Sequence, residues 1–417
     1  LFLPQSPSAA APAEPVRDSS PAGAATWTEP TVVYAEAWPD PLRFSLDDGG
    51  TTLVALIPNS GSGETNRQIV VSERVSGTWT PPVVIAENGA YSDALLQVLP
   101  QQTHPIISGD GSTIAYVGYT GSTYGAYVVD RLPGSGWSAP ALVPTGLPNT
   151  HYGISLSRDG RTLALCDYPF LGVQQVYVVV RQGGSWQAPV LIGVGGNPSL
   201  SAGGTQLVYV GGGRAAYSEL VGGAWTAPLA VTANDPAELI VEYPQLSGDG
   251  HSIYYWLVTL IPEGGALVRT AQDLYIVRQT GSGWGAPAKI TNTPVLPSSV
   301  TDGPAAADRY ATRLAYTRPV TVTDPGDGHF YVAGSHLEVS EGVTSTWQTA
   351  RVVAAGGYGS YNKWPRLAAD GKSLVFDGGI HYIGGQPVYN ALWETTTAAA
   401  PPLAPWAFSI TAVIGPA

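Results

Sequence analysis

The chain of 417 residues has no methionine, one cysteine and three lysines, and charged residues make up only 12% of it. Each scarcity excludes something. The lone Cys166 rules out an internal disulfide, and its place in the apolar run Leu163-Ala-Leu-Cys166 reads as a buried, inert thiol. A net charge of −12 with so few lysines would repel a phosphate backbone rather than steer it in, so nucleic acid is not an expected partner. No apolar run approaches the roughly 18 residues of a spanning helix. No polybasic amphipathic stretch marks a membrane-surface anchor either. Because the missing methionine includes an initiator, the expectation is a processed, exported chain, extracellular or on a cell surface, with its signal peptide removed.

Turn residues and aromatics are abundant: 51 Gly, 36 Pro, 22 Tyr and 12 Trp, a composition that points to an all-β fold. Seven times a tryptophan stands three residues ahead of a proline or its substitute: Trp27/Pro30, Trp79/Pro82, Trp137/Pro140, Trp186/Pro189, Trp225/Pro228, Trp284/Pro287 and Trp347/Ala350. The mean spacing of about 53 residues suits propeller blades of about 40 to 50 residues better than helical repeats of about 34.

Each unit carries four signals in order. The first is Ser-x-Asp-Gly or a relative, as in Ser108-Gly-Asp110-Gly111, Ser157-Arg-Asp159-Gly160, Ser201-Ala-Gly-Gly204, Ser247-Gly-Asp249-Gly250 and Ala368-Ala-Asp370-Gly371, a tight hairpin turn. The earliest copy, Ser45-Leu-Asp47-Asp48-Gly49, has extra residues, and the sixth, Ala306-Ala-Asp308-Arg309, has lost its glycine, so altered turns are expected in those two. Next come a short apolar run such as Ile114-Ala-Tyr-Val117 and an alternating run such as Tyr177-Val-Val-Val-Arg181, read as strands. The Trp-x-x-Pro segment is read as the outermost strand, where proline is tolerated.

Counting then fixes the closure. Seven turn units occur, but the first Trp-x-x-Pro precedes all of them, and the last unit, Trp364 to Thr396, has none after it. The sequence therefore predicts a seven-bladed β-propeller of four-stranded blades over 26–397, its ring closed by an N-terminal outer strand pairing with the last blade. The Pro-x-x-Ser-x-Asp-Gly-x-x-Ile-x-Tyr pattern of 105–116 resembles the TolB-type propeller repeat, most strongly in the second, third and fifth units. That resemblance implies a fold and an exported, surface or periplasmic address, and no single activity.

Residues 1–25 form a Pro/Ala/Ser-rich tail, and 398–417 a linker with a strand-like run, Phe408-Ser-Ile410-Thr-Ala412-Val-Ile414. An isolated strand is marginal and needs a partner sheet, which would make the tails connectors to other protein subunits or to further copies of the chain.

Catalytic signatures are scarce. No serine has the Gly-x-Ser-x-Gly setting of a hydrolase elbow. The six histidines are scattered with no metal-ligand spacing, and Asp324-Pro-Gly-Asp327-Gly lacks the alternating oxygens of a calcium loop. No catalytic residue, metal ligand or cofactor is assigned. The candidate set comes from position instead. The inner strand of each blade lines the channel, and its first residues, Arg43, His104, Asn197, Tyr243 and Trp364, with His151 and Glu242 close by, differ from blade to blade. They form a polar and aromatic cup for a surface glycan or peptide, or variable rim positions without a ligand. The resemblance admits one enzymatic alternative, a polysaccharide lyase using channel histidines such as His104 or His151 and a divalent metal.

Overall fold

The computed structural model describes residues 26–35, 43–58, 67–88, 104–119, 124–134, 136–147, 150–167, 173–233, 239–263, 266–281, 283–292, 303–323, 330–343, 346–355, 362–378, 381–383, 386–388 and 391–398. Both expected tails, the 408–414 strand and the 324–328 loop lie outside these residues. The described residues form strands and turns, and no helix among them is long and apolar enough to cross a membrane.

Seven antiparallel sheets follow one another around a ring. Their inner strands are Arg43–Leu46, Ile106–Ile107, Thr150–Leu156, Gly196–Leu200, Leu239–Leu246, Ala306–Ala307 and Asn362–Leu367. The expected closure is present. Thr31–Ala35 pairs with Ala391–Thr396, the third strand of blade 7, and Trp27 bridges Thr397. The first residues of the ring thus supply the outer strand of its last blade.

Why the sequence repeats tryptophan is visible in the seams. Seven buried clusters lie between consecutive blades, and each takes one repeat tryptophan: Trp137, Trp186, Trp225, Trp284 and Trp347 from blades 2 to 6, Trp79 where blade 1 meets blade 7, and Trp27 between blades 6 and 7. The tryptophan occupies a two-residue ladder at the end of the third strand, as Trp79 does against Arg74. The outer strand proper starts beyond the proline, as at Val83–Asn88. Proline therefore marks the joint, where no ladder donor is needed.

The indole polarity is handled by arginine more than by backbone acceptors. Guanidinium groups lie over Trp79, Trp137, Trp186, Trp347 and Trp27 at 4.6–5.8 Å from the ring centroids. The same arginines tie blades together, through Arg74–Glu394 at 2.7 Å, Arg131–Glu73 at 2.6 Å and Arg181–Asp130 at 2.8 Å. Among the described residues the Trp79 indole donates to the Glu394 carboxylate at 3.0 Å, while the indole nitrogens of Trp27 and Trp347 are buried without a partner there.

The expected change in the first and sixth turns does not occur. Gly50 N–H donates to Asp47 O and Ala311 N–H to Asp308 O, the same four-residue closure as Gly111 to Ser108. Asp47 and Asp308 therefore stand in the place of the serine, two residues earlier than the Asp-Gly pattern suggests. Their carboxylates accept from Thr51 and Thr52, and from Thr312 and Arg313, as the Ser108 hydroxyl accepts from Ser112 and Thr113. Ala311, with φ of 48°, takes the left-handed position that glycine fills elsewhere.

These turns also close one end of the ring. A backbone N–H of each turn donates to a carbonyl of the next: Asp48 to Gly109, Asp110 to Arg158, Arg158 to Ala202, Ala202 to Gly248, Asp249 to Arg309, Arg309 to Ala369, and Ala369 back to Asp48, all at 2.9–3.1 Å. Asp48 and Arg158 then pair at 2.8 Å past Gly109. A Cβ at Gly109 would stand 2.6 Å from the Asp48 carboxyl carbon, so glycine is required for that approach.

Candidate functional site

The opposite mouth is built differently. Where the turn end is uniform, the start of the inner strands is bulged, with register breaks at 150/154, 196/199, 242/245 and 363/366. Asn197, Tyr243 and Trp364 sit in these bulges with φ of 56°, 48° and 55°, and each precedes a proline. Gly153 holds the equivalent place in blade 3 with φ of 69°. Left-handed backbone at a non-glycine residue costs about 1–3 kcal/mol and persists only where the surroundings enforce it.

Three of the candidate residues read from the sequence thus share one strained conformation in one register. Arg43 and His104 occupy the corresponding places in blades 1 and 2, both half-buried. His151 lies on the blade 3 inner strand, with its side chain outside the described residues.

The aromatic members turn into the seams. Tyr243 packs on the cluster between blades 5 and 6, and burial pushes its phenol above the ordinary value. The Trp364 ring packs on the cluster between blades 7 and 1 and lies over Gly303, where a Cβ would stand 3.1 Å from it. Glu242 forms a two-point ion pair with Arg269, one contact at 3.1 Å, and desolvation still raises its carboxyl.

Two residues further along each strand, the side chains face the channel wall. The hydroxyls of Ser45, Ser155 and Ser199 accept from the N–H of Ile107, Leu200 and Leu246 on the next blade, at 3.3, 2.9 and 3.0 Å. In blade 7 the same place holds Arg366, which the sequence reading passed over. Its guanidinium reaches across blade 1, 5.9 Å above the Phe44 ring, to His104 Nε2 of blade 2 at 3.2 Å. Burial lowers its pKa to about 10, with Tyr254 acting in the opposite sense. The residue nonetheless keeps some accessible surface. Sequence could have found it by comparing the residue two places after each entry position, where Arg366 departs from Ser45, Ile106, Ser155, Ser199, Gln245 and Ala306.

Cys166 is buried, its thiol donating to Gly195 O at 3.4 Å and pushed up to about 12 by desolvation, as the inert reading requires. Among the described residues no group of three or more His, Cys, Asp or Glu could hold a metal ion.

The architecture and its bulged mouth define a seven-bladed β-propeller. Solved structures agree at the level of fold. The oligogalacturonate lyase of Vibrio parahaemolyticus aligns with a TM-score of 0.52 and 10% identity, over 88% of this chain and 90% of that one. A puromycin-hydrolyzing peptidase from Mycobacterium tuberculosis aligns at 0.52 and 15% identity, over 84% of this chain and 52% of the peptidase. TolB from Acinetobacter baumannii aligns at only 0.37 and 11% identity, over 83% and 79%, and adds nothing to that agreement. No protein-family model and no curated protein matches the chain. At such identities the likeness concerns the fold alone, and the TolB-type repeat stays a resemblance read from sequence.

Proposed function

We propose that the protein is an exported interaction propeller, in which the bulged mouth receives a glycan or peptide and the outside of the ring joins other subunits. The observation that carries the binding half is the placement of Asn197, Tyr243 and Trp364. A repeat that keeps its turn closures and its tryptophan seams alike holds left-handed non-glycine residues at this register in three blades and varies the side chain there. Backbone strain held in place at a rim is a mark of a recognition site. The assembly half draws on the outer strands, which expose apolar side chains at Val83, Val84, Val190, Leu191 and Leu229 on unpaired sheet edges.

Calorimetric titration of a glycan and peptide panel tests the mouth: a ligand is expected whose affinity drops on Trp364→Ala or Tyr243→Ala, and a panel with no binder removes the reading. Light scattering of the intact chain beside residues 26–398 tests assembly. Assembly of both species supports the outer strands, a trimmed monomer beside an assembled intact chain moves the contact to the tails, and two monomers overturn assembly.

A second reading, elimination chemistry on a uronate polymer, draws on the accepting nitrogen of His104 beside the Arg366 guanidinium. Absorbance of unsaturated products with and without a chelator tests that reading, and silence on every substrate retires it.

A further inference from the structure

We infer that Arg366 with His104 is an anion site on the channel axis, which takes the carboxylate of the ligand entering at the bulged mouth. The inference deepens the reading of that mouth as a binding site and rests on it.

It starts from how this protein treats seven of its other arginines. Arg74, Arg131, Arg181, Arg269, Arg313 and Arg318 each face a carboxylate: Glu394, Glu73, Asp130, Glu242, Glu341 and Glu338. Arg278, also deep and also lowered to about 10, donates to the Ser252 hydroxyl and the carbonyls of Tyr310 and Ala311, with Asp308 and Asp249 nearby. Arg366 has neither arrangement. Its bonds among the described residues are to its own preceding carbonyl, Pro365 O at 3.0 Å, and to His104 Nε2. A guanidinium carries five N–H donors, so most of them meet no protein acceptor among the described residues.

An enclosed cation without a counter-charge is costly unless an anion or ordered water completes it. The planar fork of a guanidinium matches a carboxylate at two points. The surroundings fit the same ligand. The Phe44 ring supports one side of the guanidinium, and His104 Nε2 accepts from it, which fixes the fork between blades 7 and 2. Trp364, two residues before Arg366, is in the bulge at the mouth, with its ring packed into the adjoining seam. A carboxylate here would be bound at the axis while the rest of its ligand meets the variable entry residues.

The test uses the full chain and the simplest carboxylate. Melting temperature is followed against sodium acetate, with sodium chloride at matched ionic strength and neutral acetamide as controls. Acetate is expected to raise the melting temperature of the wild type to a plateau that neither control reproduces. Arg366→Gln should lower the affinity for acetate by about tenfold or more, the size of a charged hydrogen bond. Arg366→Lys should retain part of it. Glucuronate beside glucose, and a dipeptide beside its C-terminal amide, then tell a sugar acid from a peptide end.

No acetate effect beyond the controls overturns the anion site in the wild type alone, whatever the variants do. An equal effect in wild type and Arg366→Gln overturns its location. If neutral members of the panel still bind through Trp364 when acetate does not, only the anion is lost and the reading of the mouth stands.

Discussion

Single positions show how closely this ring is fitted. Ser76 and Gly77 make a two-residue hairpin turn between Arg67–Val75 and Thr78–Trp79, with φ of 51° and 84°. Both central residues are left-handed, the geometry that Asn-Gly serves best, and the equivalent turns of blades 3 and 4 use Gly183-Gly184 and Gly222-Gly223. Ser76→Asn is therefore expected to stabilise the protein by about 0.5–1 kcal/mol, read as a higher urea midpoint with an unchanged slope. A midpoint that stays or falls refutes the turn assignment. Ala311 contrasts with it. The strain at its φ of 48° is similar, but its methyl is wholly buried in the seam between blades 5 and 6, so Ala311→Gly should be near neutral. Relief of about 1 kcal/mol of strain is balanced there by about 0.8 kcal/mol of lost methyl burial.

Among the elements, the clasp has the most to lose. Trp27 plugs the seam between blades 6 and 7, and Arg313, fully buried and paired with Glu341 at 2.6 Å, lies 5.5 Å over its ring. Thr28 adds a backbone bond to Thr396 O at 2.9 Å and accepts from the Thr395 hydroxyl at 2.6 Å. Trp27→Ala should cost about 3 kcal/mol, the low end for a large aromatic, because the ring is half-buried. It should cost more than Trp225→Ala, which leaves its blade covalently held on both sides. Guanidinium denaturation of the pair decides, and equal losses would mean that closure rests on the strand pairing alone. Blade number, strand order and this clasp were all legible in the sequence, because Trp-x-x-Pro and Asp-Gly recur in fixed order and the leftover tryptophan had one place to go. The turns of blades 1 and 6 were misread, since an aspartate can cap a turn from the serine position as well as from the third. The candidate site was half legible. His104 and the three strained residues were found by position, whereas Arg366 stayed hidden because nothing local marks an arginine as facing a channel.

For the whole molecule, the balance of charge sets the response to pH. Desolvation raises the carboxyls of Asp48, Glu242, Asp308 and Glu338 above their ordinary values, despite Arg158, Arg269 and Arg318 beside three of them. A raised carboxyl keeps its proton in the folded state to a higher pH than in the unfolded chain. Its contribution is complete below the ordinary carboxylate range and is lost as pH rises through the folded value. Two groups act the other way. In Asp110, desolvation is outweighed by hydrogen bonds from Ser112 and Ser108, so it favours folding above its ordinary range. His336, lowered by desolvation and then by Arg318, loses stability as pH falls through the ordinary histidine range. Total stability against pH therefore mixes opposing slopes, and a single substitution separates them better. Glu338 faces Arg318 at 3.5 Å and the Tyr316 phenol, and glutamine copies its protonated form. The stability of Glu338→Gln relative to wild type should rise steadily from pH 4 to pH 7, because the penalty that glutamine avoids appears only as Glu338 ionises. Urea midpoints across that range measure it. A difference that is flat, or that falls with pH, would mean that the Arg318 pairing outweighs burial and that this carboxyl ionises as readily as one in water.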